Sequence, residues 1–113
     1  RAQLDHFKHA INKRSISSKD MQGATIALSN FGVVSSNNPT EKKGGRYGSP
    51  IIVPPQVAII GAGRTSLEAA VIDDKVQPRL QLPLSISFDH RCVTEAEASR
   101  FLAAMIFDLE KTD

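Results

Sequence analysis

The sequence predicts an α/β domain of the two-layer α+β kind, helices packed on a sheet, and three stretches carry that prediction. Ala98, Phe101, Leu102, Met105, Ile106 and Leu109 recur at i, i+3, i+4, i+7, i+8 and i+11, an apolar stripe that a helix gathers onto one side. In "LPLSISFDH", Leu82, Leu84, Ile86 and Phe88 alternate with Pro83, Ser85, Ser87 and Asp89, which is the two-residue period of a strand. "QVAIIGAG" is apolar without alternation, as expected for a strand covered on both faces.

Taken in chain order, Leu4, Phe7, Ala10 and Ile11 mark a first amphipathic helix. No capping residue precedes it, so the sequence is expected to be the later part of something larger. "SISSKDMQG" is a polar connection in which Ser17 or Ser18 caps a short turn through Met21 and Gly23 ends it. "ATIALSN" alternates Ile26 and Leu28 with Thr25, Ala27 and Ser29, a half-buried strand in which Ser29 points away from Leu28. Val33 to Pro50 turns to Ser, Asn, Gly, Lys and Pro, a loop of the length that compact domains reserve for function or disorder. After the apolar strand, Asp73 and Asp74 mark a turn in "AVIDDKVQPR". The alternating strand follows and His90 continues its apolar parity. Thr94 with Glu97 has the spacing of a capping box for a closing helix of about four turns. The expected order is helix, strand, strand, strand, helix, without internal repeats.

Composition narrows the function classes. The 113 residues are 41% hydrophobic, one domain with a lean core. Fourteen Lys and Arg against 12 Asp and Glu leave a net charge of +2, too small to argue for nucleic acid or a membrane surface, and 5% aromatics disfavour base stacking. The single Cys92 excludes an intrachain disulfide framework and fits a reducing compartment. Arg1 to Ile11 is too polar for a secretory signal, and Ile51 to Ile60 is broken by Pro54 and Pro55 and too short to span a bilayer. A cytoplasmic protein is expected.

Several residues invite chemistry. Gly61 and Gly63 follow a strand at GxG spacing, but Ser66 stands where a third glycine belongs and no helix follows, so a tight strand exit is the ordinary reading. His6 and His9 lack a third metal ligand nearby, and no metal site is expected. Cys92 is two residues from His90, whereas nucleophile and base usually come from separate elements. "EKKGGRYG", with Lys42, Lys43 and Arg46, is either an anion cradle or a charged loop tip. His90 differs because it ends a strand just before a helix, where packing can fix a side chain that still reaches a cleft. A mostly neutral imidazole at pH 7 can take a proton from a hydroxyl or thiol, although a buried structural histidine predicts the same placement.

At this point four stretches, in order, resemble one family. "SISFDHRCVTEAEASRFL" is similar to SFDHRxxDGxxAxxFL, the signature of the dihydrolipoamide acyltransferase component of 2-oxo acid dehydrogenase complexes. "GATIALSNFG" resembles its GGTFTISNLG, "PPQVAIIGAGR" its NPPQVAILGVGR, and "VQPRLQLPLS" its VxPRxMLPLS. The resemblance spans residues 1–113 but only about the C-terminal half of the family's catalytic domain. It implies a chloramphenicol-acetyltransferase-like fold with a mixed sheet, and acyl transfer between dihydrolipoamide and coenzyme A.

Carried over by motif, His90 is the general base and Ser29 donates its hydroxyl to the tetrahedral oxyanion. Thr94 is the third candidate catalytic residue, because it stands where the motif has Asp. The resemblance further implies a homotrimer or larger core whose active sites lie between subunits, with His and Ser from facing chains. It implies as partners a lipoyl group on a domain absent from this sequence and the decarboxylase and dehydrogenase components. Asp89 and Arg91 are expected to anchor the turn as an ion pair. Two departures stand out: Thr94 brings no negative charge where the motif has Asp, and Glu95 replaces its Gly. The Val33–Pro50 loop is also longer than the family's connection. Two other readings stay open: a non-catalytic assembly module of such a complex, and a coenzyme A acyltransferase acting on a small alcohol.

Overall fold

The computed structural model describes residues 1–33 and 44–111. Helix α1 (Ala2–Asn12) is followed by strands β1 (Ile26–Asn30), β2 (Ala58–Ala62), β3 (Ser66–Ile72), β4 (Lys75–Gln81) and β5 (Leu84–Phe88), and by helix α2 (Glu95–Glu110). The α/β class holds, but two strands join the expected three. β3 and β4 pair as an antiparallel hairpin across the Asp73–Asp74 turn, whose two residues take φ of 50° and 63°. Positive φ at both positions is what a two-residue hairpin needs, and Asp tolerates it. The flanking strands were hidden from propensity by Ala69, Ala70 and Pro78, all poor strand residues.

β1, β2 and β5 form the mixed sheet, with β2 central, parallel to β1 and antiparallel to β5. Its register separates two faces. Ile26, Leu28, Ala58, Ile60, Ala62, Leu84, Ile86 and Phe88 share one, along which α2 runs beside β5. Ala27, Ser29, Ile59, Gly61, Ser85 and Ser87 share the other, where the Ser85 hydroxyl donates to the Gly48 carbonyl at 3.2 Å and that of Ser87 to the Pro50 carbonyl at 2.6 Å. The segment before β2 therefore covers the second face. β2 is buried at four of its five residues, as its unbroken apolar run requires. β5 starts at Leu84 rather than Leu82, because Pro83 has no N–H to give the ladder and its carbonyl instead accepts from Gly63 at 2.9 Å.

Glycines make the close crossings possible. A Cβ on Gly61 would sit 2.7 Å from Ser85 Oγ and 3.0 Å from the Phe31 ring, and one on Gly63 would collide with the Arg46 carbonyl. This explains the GxG pair without a nucleotide: a strand, not a helix, follows it. Gly63→Ala is expected to cost about 1–3 kcal/mol, as overpacking against backbone does, visible as a lower denaturation midpoint with unchanged slope.

The core is small. Among the described residues only Ala58, Ile60, Ala62 and Ala98 are buried hydrophobics, and their size lets α2 lie close to the sheet. The accessible surface is 9288 Å² for 12.3 kDa, against about 6,100 Å² for a compact monomer of that mass. α1 and the β3–β4 hairpin pack on no other described helix or strand. The hairpin presents Leu67, Val71, Val76 and Leu80 to solvent on one face, in cross-strand register.

Candidate active site

The turn after β5 is built by Asp89. Its N–H donates to the Val57 carbonyl at 2.8 Å, and its own carbonyl accepts from Cys92 N–H at 2.9 Å and Val93 N–H at 3.0 Å. Its carboxylate takes the Arg91 backbone N–H at 3.0 Å and holds the guanidinium with two bonds, from Nε at 3.0 Å and from Nη2 at 2.8 Å. The expected Asp89–Arg91 pair is therefore present in the forked geometry that Arg favours. The side-chain and backbone hydrogen bonds from Arg91 lower the Asp89 carboxyl from 3.8 to about 2. A carboxyl lowered in the native state stabilises above its unfolded value, and that contribution is lost as pH falls from about 4 through about 2. NMR titration of Asp89 is expected to give a midpoint near 2; a midpoint at 3.8 would show the pair absent in solution.

This turn carries His90 outward. The imidazole side chain is 70% exposed, with its ring centre 6.0 Å from that of Phe88 and Nε2 3.7 Å from Glu95 Oε1. Among the described residues it makes no hydrogen bond, so the buried structural histidine that the sequence allowed is not what this chain builds. An accessible imidazole can take a proton from an arriving group.

Thr94 starts α2 as its N-cap with φ −84° and ψ 158°. Its Oγ1 accepts from Glu97 N–H at 3.3 Å and donates to Glu97 Oε2 at 3.0 Å, while its N–H donates to that same carboxylate oxygen at 2.8 Å. The capping box is complete, and its bonds from Thr94 lower the Glu97 carboxyl. Thr94→Ala is expected to cost about 1 kcal/mol and Thr94→Ser almost nothing, measured by thermal unfolding; equal losses would show that the cap is not what holds the helix start.

Ser29 is half-buried in β1, on the sheet face opposite the one α2 follows. It is level with Gly61 and Ser85, whereas Phe88, the last strand residue before His90, is level with Ala58 and Ile26. Three strand steps separate those levels, about 10 Å, and β2 lies between β1 and β5. One chain does not bring Ser29 and His90 together.

The remaining candidates stay apart. Arg46 pairs with Glu68 and stacks its guanidinium 5.1 Å from the Tyr47 ring centre, so its charge is already answered; Lys42 and Lys43 lie outside the described residues. His6 and His9 sit on α1, and no group of three or more metal-binding side chains occurs among the described residues. Cys92 is free and exposed. It lines a groove of about 500 Å³ between sheet and helix, with Ile26, Ile86, Ala98 and Phe101. Sequence reasoning passed over Glu95 as a mere replacement. Its signal was an acid in the first helical turn, five residues after His90, where the turn and the cap fold back on each other.

Comparison with known proteins agrees with the motifs. The family model described as 2-oxoacid dehydrogenases acyltransferase (catalytic domain) matches residues 1–113. The dihydrolipoyllysine-residue acetyltransferase component of the pyruvate dehydrogenase complex of Azotobacter vinelandii is 36% identical over 100 residues, which are 88% of this chain and 14% of that protein. A solved structure of the A. vinelandii dihydrolipoamide acetyltransferase superposes with a TM-score of 0.72 at 32% identity, covering 92% of this chain and 39% of that one. That work concerns the catalytic roles of a serine, a histidine and an asparagine in that protein, the last two four residues apart, as His90 and Thr94 are here. The cubic core of a pyruvate dehydrogenase multienzyme complex superposes with a TM-score of 0.71 at 32% identity, covering 90% and 38%. The chain thus spans less than half of these solved relatives. No described helix is long and apolar enough to cross a membrane. With the motifs, the sheet and the model match in agreement, the chain belongs to the 2-oxoacid dehydrogenase acyltransferase (catalytic domain) family.

Proposed function

We propose that this chain contributes the base and the oxyanion donor of an acyltransferase that moves an acyl group between dihydrolipoamide and coenzyme A. The observation that carries the proposal is the exposed imidazole of His90, free of hydrogen bonds among the described residues, on a turn fixed by Asp89 and Arg91. The imidazole takes the proton of the incoming thiol, and the thiolate sulfur bonds to the thioester carbonyl carbon. The carbonyl oxygen becomes an oxyanion and accepts a hydrogen bond from a Ser29 hydroxyl. Collapse breaks the original carbon–sulfur bond, and the leaving thiolate recovers the proton from His90. Thiols ionise near pH 8.5, so a positioned base matters at neutral pH.

The separation of Ser29 from His90 supports a site shared between chains, one giving the serine and its neighbour the histidine, in a trimer or larger core that works with a lipoyl domain and the other enzymes of a 2-oxo acid dehydrogenase complex. Residues 1–113 form the C-terminal portion of a catalytic domain in this proposal. The free, exposed Cys92 supports a cytoplasmic location. Thr94 acts through its cap, setting the start of α2 behind the base, since its hydroxyl is spent on Glu97.

The same spent hydroxyl favours a second reading, an assembly module that keeps the fold without turnover. Assay of the protein at its natural length separates them: acyl transfer from acyl-CoA to dihydrolipoamide supports the enzyme, and its absence in an assembled core supports the module. Turnover of a small alcohol in preference to the dithiol would sink the thiol-acceptor reading.

A further inference from the structure

We propose that Glu95 is a positioning residue for His90, its carboxylate facing the imidazole so as to steady the ring and stabilise the positive charge it gains on removing a thiol proton. This rests on the reading of His90 as the base. Three carboxylates crowd the turn and the start of α2, and two are committed. Asp89 gives both oxygens to Arg91, and Glu97 accepts from the Thr94 N–H and hydroxyl. Glu95 has no other partner among the described residues, and its Oε1 lies 3.7 Å from His90 Nε2. Neither side of that approach is free to drift far at the backbone. The Asp89 carbonyl closes the turn onto Cys92 and Val93, and the capping box fixes where the helix begins, so residues 90 and 95 are carried toward each other.

The electrostatics give the contact a purpose. The amino end of α2 presents partial positive charge toward the turn, where a carboxylate is favourably placed. Arg91 would add to that, but Asp89 answers it. Glu95 is the carboxylate left to offset the helix end. It stands where the motif has glycine, so the contact belongs to this chain and not to the motif.

Both side chains are solvent-accessible, at 70% and 81%, which sets the size of the effect. In the protein at its natural length, Glu95→Gln is expected to lower kcat about two- to fivefold with KM for both substrates unchanged, the range of an exposed ion pair. That deficit is expected to close as salt is raised, because exposed charges are screened, while Glu95→Asp keeps part of the rate. A loss independent of salt would overturn the charge role. A second measurement needs no turnover: the ring resonances of His90 shift in Glu95→Gln while those of His6 and His9 stay put. Unchanged His90 resonances would overturn the proposal. Responsive resonances in a protein without transferase activity would uphold the contact and sink only the reading of His90 as base.

Discussion

Replacing His90 by alanine in the protein at its natural length is expected to lower acyl transfer between acyl-CoA and dihydrolipoamide by about 10²–10⁴-fold, the usual worth of a positioned base. The side chain is 70% exposed and makes no hydrogen bond among the described residues, so stability is expected to stay within about 0.5 kcal/mol of the parent. That separation makes the variant informative, since a rate lost without a change in melting is lost chemistry. Raising the pH should restore part of the activity, because the thiol then ionises without help. Wild-type turnover in His90→Ala at neutral pH would remove the base from the proposal altogether.

The second large effect is expected at Ser29. Loss of an oxyanion donor typically costs about 10²–10³ in kcat, and Ser29→Ala should fall in that range with little change in KM. Geometry adds a sharper expectation. Ser29 and His90 stand at different levels of the sheet with β2 between their strands, and in the proposed shared site one comes from each of two chains. Neither Ser29→Ala nor His90→Ala alone then has a competent site, yet a core assembled from an equal mixture regains sites whose two contributing chains are each intact where it counts. Random heterologous assembly puts that recovery at about a quarter of the wild-type rate. If mixing restores nothing while mixed cores demonstrably form, the shared site is wrong.

Much of this was legible in the sequence, for stated reasons. The capping box at Thr94 and Glu97, the stripe of α2 and the face assignment of Ser29 follow from local periodicity, and the structure reproduces each. The Asp89–Arg91 pair was readable because the two side chains stand two residues apart in a tight turn. What sequence could not show depends on contacts between distant segments. Phe31 settles against Gly45, Gly48 and Gly61, and Gly63 yields to the Arg46 backbone, yet each glycine alone reads as a turn residue. The β3–β4 hairpin escaped because Ala and Pro dilute its strand signal while the two aspartates announce only the bend. At the candidate site, the motif singled out His90 and Ser29 as candidates. Their distance is a property of register, and the approach of Glu95 is a property of how turn and cap fold together.

The hairpin and α1, neither of which packs on another described helix or strand, have a bearing on how this protein should be handled in the laboratory. An accessible surface about half again as large as the mass requires, around a core mostly of alanines, means that these residues alone hold little reserve against unfolding. Any separate polypeptide that covers this surface binds the folded form and not the unfolded one. By mass action the melting temperature of such a chain becomes a function of how much of its cover is present. Where the cover is a second molecule, dilution then acts as a denaturant, and the melting temperature falls with protein concentration.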